Sequence, residues 1–199
     1  MDSVNTNKKI AVLLYDSFCY FEISVALEIL ALAGKEIVVF GKYKEPIRSE
    51  EGLRILPDNT IEKLIIDEFA ALILPGAADI REAIEDEQII KFIRKFEDKV
   101  MGAISIAPIL LVKAGLLNGK PFLAGVNKDE LFEEGFSEED LTEMIGWDDN
   151  LRIPVAEGYI ISDNIITSVS YNFVKWALGF GKMLGIDIPG ENFGYTVLE

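Results

Sequence analysis

The stretch from Val100 to Leu117, VMGAISIAPILLVKAGLL, constrains the fold of this chain more than any other. A short apolar strand, Val100 to Ile104, runs almost directly into a helix. Pro108 marks the first helical turn, where its missing N–H would have no partner anyway. Ile109, Leu110, Val112 and Leu116 follow at helical spacing. A strand that reverses this sharply pushes the side chain of its turn residue, Ser105, up at the carboxyl end of a sheet. The free N–H groups of the helix point at the same spot, which is the nucleophile-elbow arrangement. The reversal predicts a positive φ at Ser105.

The flanking segments supply a sheet to which this elbow can belong. Lys8 to Tyr15 is a continuous apolar run of strand length, as expected for a parallel strand buried on both faces. A helix follows from Phe21 to Ala33, with Ile23, Leu27, Leu30 and Ala31 on its apolar side and Gly34 as its stop. Ile37–Phe40 reads as a second strand, Ile47–Pro57 as a hairpin around Gly52, and Ile61–Leu64 as a helical turn. Phe69–Leu74 is a third buried strand, ending in the turn Pro75-Gly76-Ala77-Ala78. The spacing of Ile80, Ile84, Ile89, Ile90, Ile93 and Phe96 predicts one amphipathic helix over Asp79–Glu97. After the elbow helix, Phe122–Val126 reads as a further strand, Arg152–Glu157 and Tyr159–Ser162 as strands either side of Gly158, and Ile165–Val169 as the last strand. Asn172–Leu184 is the final helix. Alternation of this kind predicts a mostly parallel α/β sheet with ligands beyond the carboxyl ends of its strands.

Composition narrows the function classes. With 199 residues, half of them hydrophobic, the chain can bury one sizeable core, so a single domain over residues 1–199 is expected, its core at about 8–185. A formal charge of −15 opposes binding to nucleic acid or an anionic membrane through a general field. A single cysteine excludes an internal disulfide framework and suits a reducing compartment. With no apolar signal core over Met1–Lys9 and no apolar run long enough to span a bilayer, the expectation is a cytoplasmic protein. Histidine is absent, which removes the commonest general base and a common metal ligand.

Each candidate site residue has a chemical and a plain reading. Ser105 is either a nucleophile, with the backbone at Ile106 and at Gly76-Ala77 as an oxyanion or ligand site, or a small polar residue lining a pocket. Lys113, the nearest lysine on the elbow helix, lies two turns on, roughly 12 Å along the axis. Glu22 is either a pocket carboxyl with a raised pKa or an acid that complements a helix N-terminus. Cys19, between Phe18 and Tyr20, is either a displaced reactive thiol at the pocket rim or a packed side chain. Tyr171 is the second rim candidate. The acidic stretch Asp129–Asp149 lacks a recognisable cation-binding loop and reads as a solvated face, so no metal and no cofactor is expected. Ser137-Glu-Glu-Asp140 has the pattern of a capping box, and Met144, Trp147 and Tyr195 read as packing or interface residues.

From Lys8 to Gly185 these motifs, in this order, resemble the ThiJ/PfpI superfamily, also called the DJ-one superfamily. KIAVLLYD over residues 9–16 with Phe21-Glu22 resembles its first strand and acidic pocket residue, GLRILPD over 52–58 its β segment before the central strand, and ALILPGA over 71–77 its L-P-G-G turn. AISIAP over 103–108 resembles its A-I-C-x-G-P elbow, and DNIITS over 163–168 its D-x-x-I-T-S strand. The resemblance implies a flavodoxin-like three-layer α/β sandwich of the class I glutamine amidotransferase-like kind, and a homodimer. It implies that Glu22 hydrogen-bonds the elbow side chain. It also places Ser105 where the family has cysteine, Ala107 and Ala77 where it has glycine, and Val169-Ser170-Tyr171 where it continues Arg-Gly-Pro. The family histidine has no counterpart. Peptidase, glyoxalase-like, deglycase-like, isonitrile-hydrating and redox-sensing activities in the family all lean on the cysteine thiolate. Three readings follow: a non-catalytic member that binds a small polar molecule, a hydrolase or lyase acting on a small carbonyl compound through Ser105 and Glu22, and a dimeric stress-response or interaction protein.

Overall fold

The computed structural model describes residues 8–133, 135–141 and 155–195. Seven strands form one sheet in the order β5-β2-β1-β6-β7-β9-β8, built from β1 (Lys9–Leu13), β2 (Ile37–Gly41), β5 (Asn59–Thr60), β6 (Phe69–Leu74), β7 (Val100–Ile104), β8 (Ile160–Ser162) and β9 (Ile165–Ser168). All neighbours run parallel except the edge pair β8–β9. The short antiparallel pair β3 (Ile47–Arg48) and β4 (Arg54–Ile55) stands outside this sheet and forms the hairpin expected around Gly52.

The central strands are apolar throughout because both faces are covered. Ile10 to Leu13 and Ala71 to Leu74 are almost wholly inaccessible. Helix α1 (Tyr20–Leu32) packs against α7 (Phe173–Met183), while α2 (Arg81–Glu85), α3 (Glu87–Arg94) and the elbow helix α4 (Pro108–Lys113) pack together as a second group. Gly102 in β7 lets α7 approach: a Cβ there would lie 2.8 Å from both Phe180 and Trp176. The inward face of α1 is Glu22, Ile23, Ala26, Ile29 and Leu30, so Leu27 and Ala31 are less buried than their spacing suggests. Gly34 ends the helix region at φ 67.

Three expectations are corrected. The single helix over Asp79–Glu97 is two, because Asp86 leaves the helical region at φ −82, ψ 102 and caps α3 by accepting the Gln88 N–H. Its carboxylate also holds Lys42. Phe122–Val126 is not a strand. The Leu123 N–H goes to the Thr167 hydroxyl at 2.9 Å and the Gly125 N–H to the Ser105 carbonyl at 2.7 Å, so the amides serve tertiary contacts rather than a ladder. Of Arg152–Glu157, residues 152–154 lie outside the described residues and Val155–Glu157 is an irregular turn. Met144 and Trp147 also lie outside the described residues. The capping box holds at α6 (Glu138–Leu141), where Ser137 N–H donates to Asp140 Oδ2 at 2.8 Å and the Asp140 N–H returns to Ser137 Oγ at 3.2 Å. It follows α5 (Lys128–Glu133).

Candidate functional site

The carboxyl ends of β1, β6 and β7 bring together segments distant in sequence. Ser105 leaves β7 with φ 61, the left-handed conformation that the strand-to-helix reversal requires. Its backbone is held on both sides: Ser105 N–H donates to the Ser168 carbonyl at 2.8 Å, and its own carbonyl accepts from Gly125 N–H at 2.7 Å. A Cβ on Gly125 would sit 3.1 Å from Ser105 Cα, so glycine permits the segment after α4 to close over the elbow. The loop after β6 approaches from the other side. A Cβ on Gly76 would meet Glu22 Oε2 at 2.5 Å and Ser105 Cβ at 2.6 Å.

Glu22 points inward from the first turn of α1 and is 2% exposed. Its Oε2 accepts the Gly76 N–H at 2.8 Å. Burial raises its pKa, an effect opposed by the Ser170 hydroxyl, the Gly76 amide and the Ser105 hydroxyl, and reinforced by the Glu50 charge. Glu22 therefore keeps its proton to higher pH than an ordinary carboxyl, and in that form it donates a hydrogen bond as well as accepting one. Beside it, the buried Tyr15 hydroxyl donates to the Pro75 carbonyl and so fixes the turn that presents Gly76. Burial, helped by the Glu22 charge, raises the Tyr15 pKa.

The remaining candidates separate clearly. The Gly76 N–H donates to Glu22, whereas the Ile106 and Ala77 N–H groups make no hydrogen bond among the described residues. Cys19 is buried at the start of α1. Burial first, then the Glu22, Glu50 and Glu51 carboxylates, push its thiol far above the ordinary value, away from the thiolate a reactive cysteine needs. Tyr171 is 81% exposed on the single turn Ser170–Asn172. Lys113 is exposed at the far end of α4 and brings no base to Ser105. Tyr195 lies under the Lys175 ammonium, 5.6 Å from its ring centre. Sequence reasoning missed Ser170, Ser168 and Gly125, because each reaches the site only through sheet order or loop closure.

A cleft of ≈ 420 Å³ opens on the same edge, beyond β1 and β2, lined by Tyr15, Ser17, Lys42, Tyr43, Asp79 and Asp86 among others. Three of its charged residues are paired, Lys42 with Asp86 and Asp79 with Arg81, while Asp16, Glu45 and Glu82 add acid to the lining. Among the described residues no cluster of His, Cys, Asp or Glu is arranged to hold a metal ion, and no helix is long and apolar enough to cross a membrane.

Comparison with known proteins agrees with this fold. Glutathione-independent glyoxalase DJR-1.2 of Caenorhabditis elegans is 25% identical over 149 residues, 74% of this chain and 72% of that protein. Protein/nucleic acid deglycase 2 of Escherichia coli is 30% identical over 122 residues, 59% of this chain and 71% of that protein. Protein dj-1beta of Drosophila melanogaster is 26% identical over 103 residues, and the match spans 50% of this chain and 55% of that relative's length. Among solved structures, the DJ-1 superfamily protein Atu0886 from Agrobacterium tumefaciens superposes with a TM-score of 0.73 at 18% identity, covering 94% of this chain and 95% of that one. Drosophila DJ-1beta superposes with a TM-score of 0.70 at 21% identity, covering 90% and 91%. The DJ-1/PfpI family profile matches residues 8–178, and the chain belongs to that family.

Proposed function

We propose that the protein is a member of its family whose elbow pocket binds a small polar molecule without the thiolate chemistry of catalytic relatives, Ser105 standing in the place of the family cysteine. The observation that carries this reading is the pairing of Ser105 with a buried Glu22 whose pKa burial raises, with no histidine in the chain and no other base beside it among the described residues. A serine hydroxyl needs a base near neutrality to act as a nucleophile. Protonated, Glu22 is a donor; ionised, it is too weak a base. In its protonated form, together with the unengaged Ile106 and Ala77 amides, it makes a site of hydrogen-bond donors suited to a neutral oxygen acceptor. We place the protein in the cytoplasm as a homodimer, for which the exposed Phe21 and Tyr171 offer apolar surface.

A second reading, hydrolysis or lysis of a small carbonyl compound, is favoured by one feature: the strained φ of 61 that presents Ser105 as nucleophile elbows do. The names of the relatives, glyoxalase and deglycase, point the same way. Turnover of methylglyoxal, a nitrophenyl ester and casein by wild type and Ser105→Ala separates the two. The expected result is equal background rates, because loss of the base in a Ser-His-Asp system removes on the order of 10³-fold or more of the rate. A wild-type rate well above background that disappears in Ser105→Ala would establish the second reading instead.

A further inference from the structure

We propose that Glu51, in the turn between β3 and β4, is a positioning residue for the Glu22–Ser105 pocket: its carboxylate caps the helix that carries Glu22. The proposal rests on the reading of that pocket as the working site.

Helix α1 begins without a cap of its own. Its N-cap residue, Cys19, is extended at φ −92, ψ 103 and makes no side-chain capping bond. Sulfur is a weak acceptor, and the first N–H groups of a helix have no partner within it. Ser17, the hydroxyl just upstream, is occupied elsewhere: its Oγ accepts from Asp79 N–H and donates to the Asp79 carbonyl, both at 3.2 Å. Glu51 comes from 30 residues away to fill the gap. Phe21 N–H donates to its Oε1 at 3.0 Å and Tyr20 N–H to its Oε2 at 3.2 Å, so one carboxylate spans two successive amides. A negative charge at this end also complements the helix dipole. Burial pushes the Glu51 pKa up, but the Phe21 amide, the Ser49 hydroxyl and the Tyr20 amide outweigh it and hold the group ionised.

The hairpin is fastened to the same loop, which makes the cap a rigid one. Ser17 N–H donates to the Arg48 carbonyl at 2.9 Å, Glu50 N–H to the Phe18 carbonyl at 2.9 Å, and Phe18 bridges to Ser49. Ser49 Oγ accepts Leu53 N–H at 3.1 Å and closes the turn. Glu22 directly follows the capped pair Tyr20-Phe21. Its carboxyl fits between Gly76 and Ser105 with no space to spare, so the pitch of the first turn decides whether it reaches them. A hairpin outside the main sheet thereby sets the geometry of the pocket.

The test uses the full chain carrying Ser105→Cys as a reporter, with the pH dependence of its alkylation followed by peptide mass spectrometry so that Cys19 is read separately. Glu51→Gln removes the charge and keeps one oxygen, which can still accept the Phe21 amide; Glu51→Ala removes the charge and both capping bonds. Loss of the charge alone lowers the reporter pKa equally in the two variants. Loss of the whole cap releases Glu22, removes the hydrogen bond it would donate to the thiolate, and raises the pKa more in Glu51→Ala than in Glu51→Gln, which keeps one capping bond. The expected result is a reporter pKa about half a unit or more higher in Glu51→Ala than in Glu51→Gln. Identical titrations would overturn the positioning role and leave Glu51 a charge only. Asp86→Ala, which uncaps α3, is the control: it should lower Tm without moving the titration. If Glu51→Ala does not fold, Glu51→Ser, too short to span two amides, takes its place. The titration needs no ligand, so a failure to find one and a failure of this proposal are separate results.

Discussion

Two sites share the carboxyl edge of the sheet and the loop after β1, and they are built in opposite ways. The elbow site is tightly packed. Its groups are backbone amides, hydroxyls and one buried carboxyl, and two glycines, Gly76 and Gly125, are what let its walls meet. The cleft beyond β1 and β2 is open and charged, and several of its ions have structural work: Asp86 caps α3 and holds Lys42, and Asp79 holds Arg81 while its backbone N–H and carbonyl engage the Ser17 hydroxyl. Volume marks the cleft, whereas the elbow has the strained backbone and the buried, perturbed carboxyl. Perturbation with geometry behind it is the better pointer to chemistry, and ion pairs near the surface contribute little on their own.

The sharpest way to break this contrast is to add one carbon to each region's weakest point or remove its cap. Gly76→Ala drives a methyl into Glu22 and Ser105, and should cost on the order of 3 kcal/mol, the upper range for overpacking. Asp86→Ala in the cleft should cost about 1 kcal/mol, the usual value of a lost N-cap. Urea denaturation of both checks the order; a Gly76→Ala protein as stable as wild type would mean that the elbow is not close-packed.

A smaller effect separates the two thiols that Ser105→Cys would place on either side of Glu22. The introduced one sits where helix N–H groups, and the proton of Glu22 while it is held, favour a thiolate, and should titrate clearly below about 8.5 and oxidise first with mild peroxide. Cys19 should stay protonated and slow to react, given its burial first and the carboxylates around it second. Alkylation against pH reads both, and a value near 8.5 at position 105 would remove the claim that the pocket stabilises an anion.

The smallest effects differ in sign. Glu22 has a folded pKa above its unfolded one, so the stability it contributes is fully present below about 4.3 and lost as pH rises through the folded value. The Tm of wild type relative to Glu22→Gln should therefore fall over that interval. Asp79 is held down to about 2 by the Arg81 side chain and amide, so its contribution is present above its ordinary pKa and lost as pH falls towards 2. That pair is half exposed, and Asp79→Asn should cost about 0.5 kcal/mol or less at neutral pH. Thermal unfolding across pH 2–8 checks both slopes, and parallel curves for the two variants would erase the distinction between the sites.

Much of the elbow was legible because its signals are local. Proline at the start of a helix, an apolar run before it and a single polar residue between them force the turn at Ser105, and φ 61 follows from covalent geometry. The acid at position 22 was legible as a helix-start residue beside apolar neighbours. The break at Asp86 was not, since the isoleucine spacing continues across it; what stops the helix is a side chain that both caps Gln88 and reaches Lys42, 44 residues away. Phe122–Val126 has strand-like composition, but its amides are claimed by Thr167 and Ser105.

The sequence alone determined which residues could make a parallel sheet and where one strand had to turn into a helix, because backbone sterics and hydrophobic periodicity act over a few residues. It also determined that no histidine could serve as base. Only the tertiary structure decided that Glu22 is buried against Gly76, that Ser168 and Gly125 clamp the elbow, and that the cap of α1 comes from Glu51 in a distant hairpin. Hydrogen-bond partners and desolvation depend on which loops the strand order brings to one edge, and no local pattern carries that information.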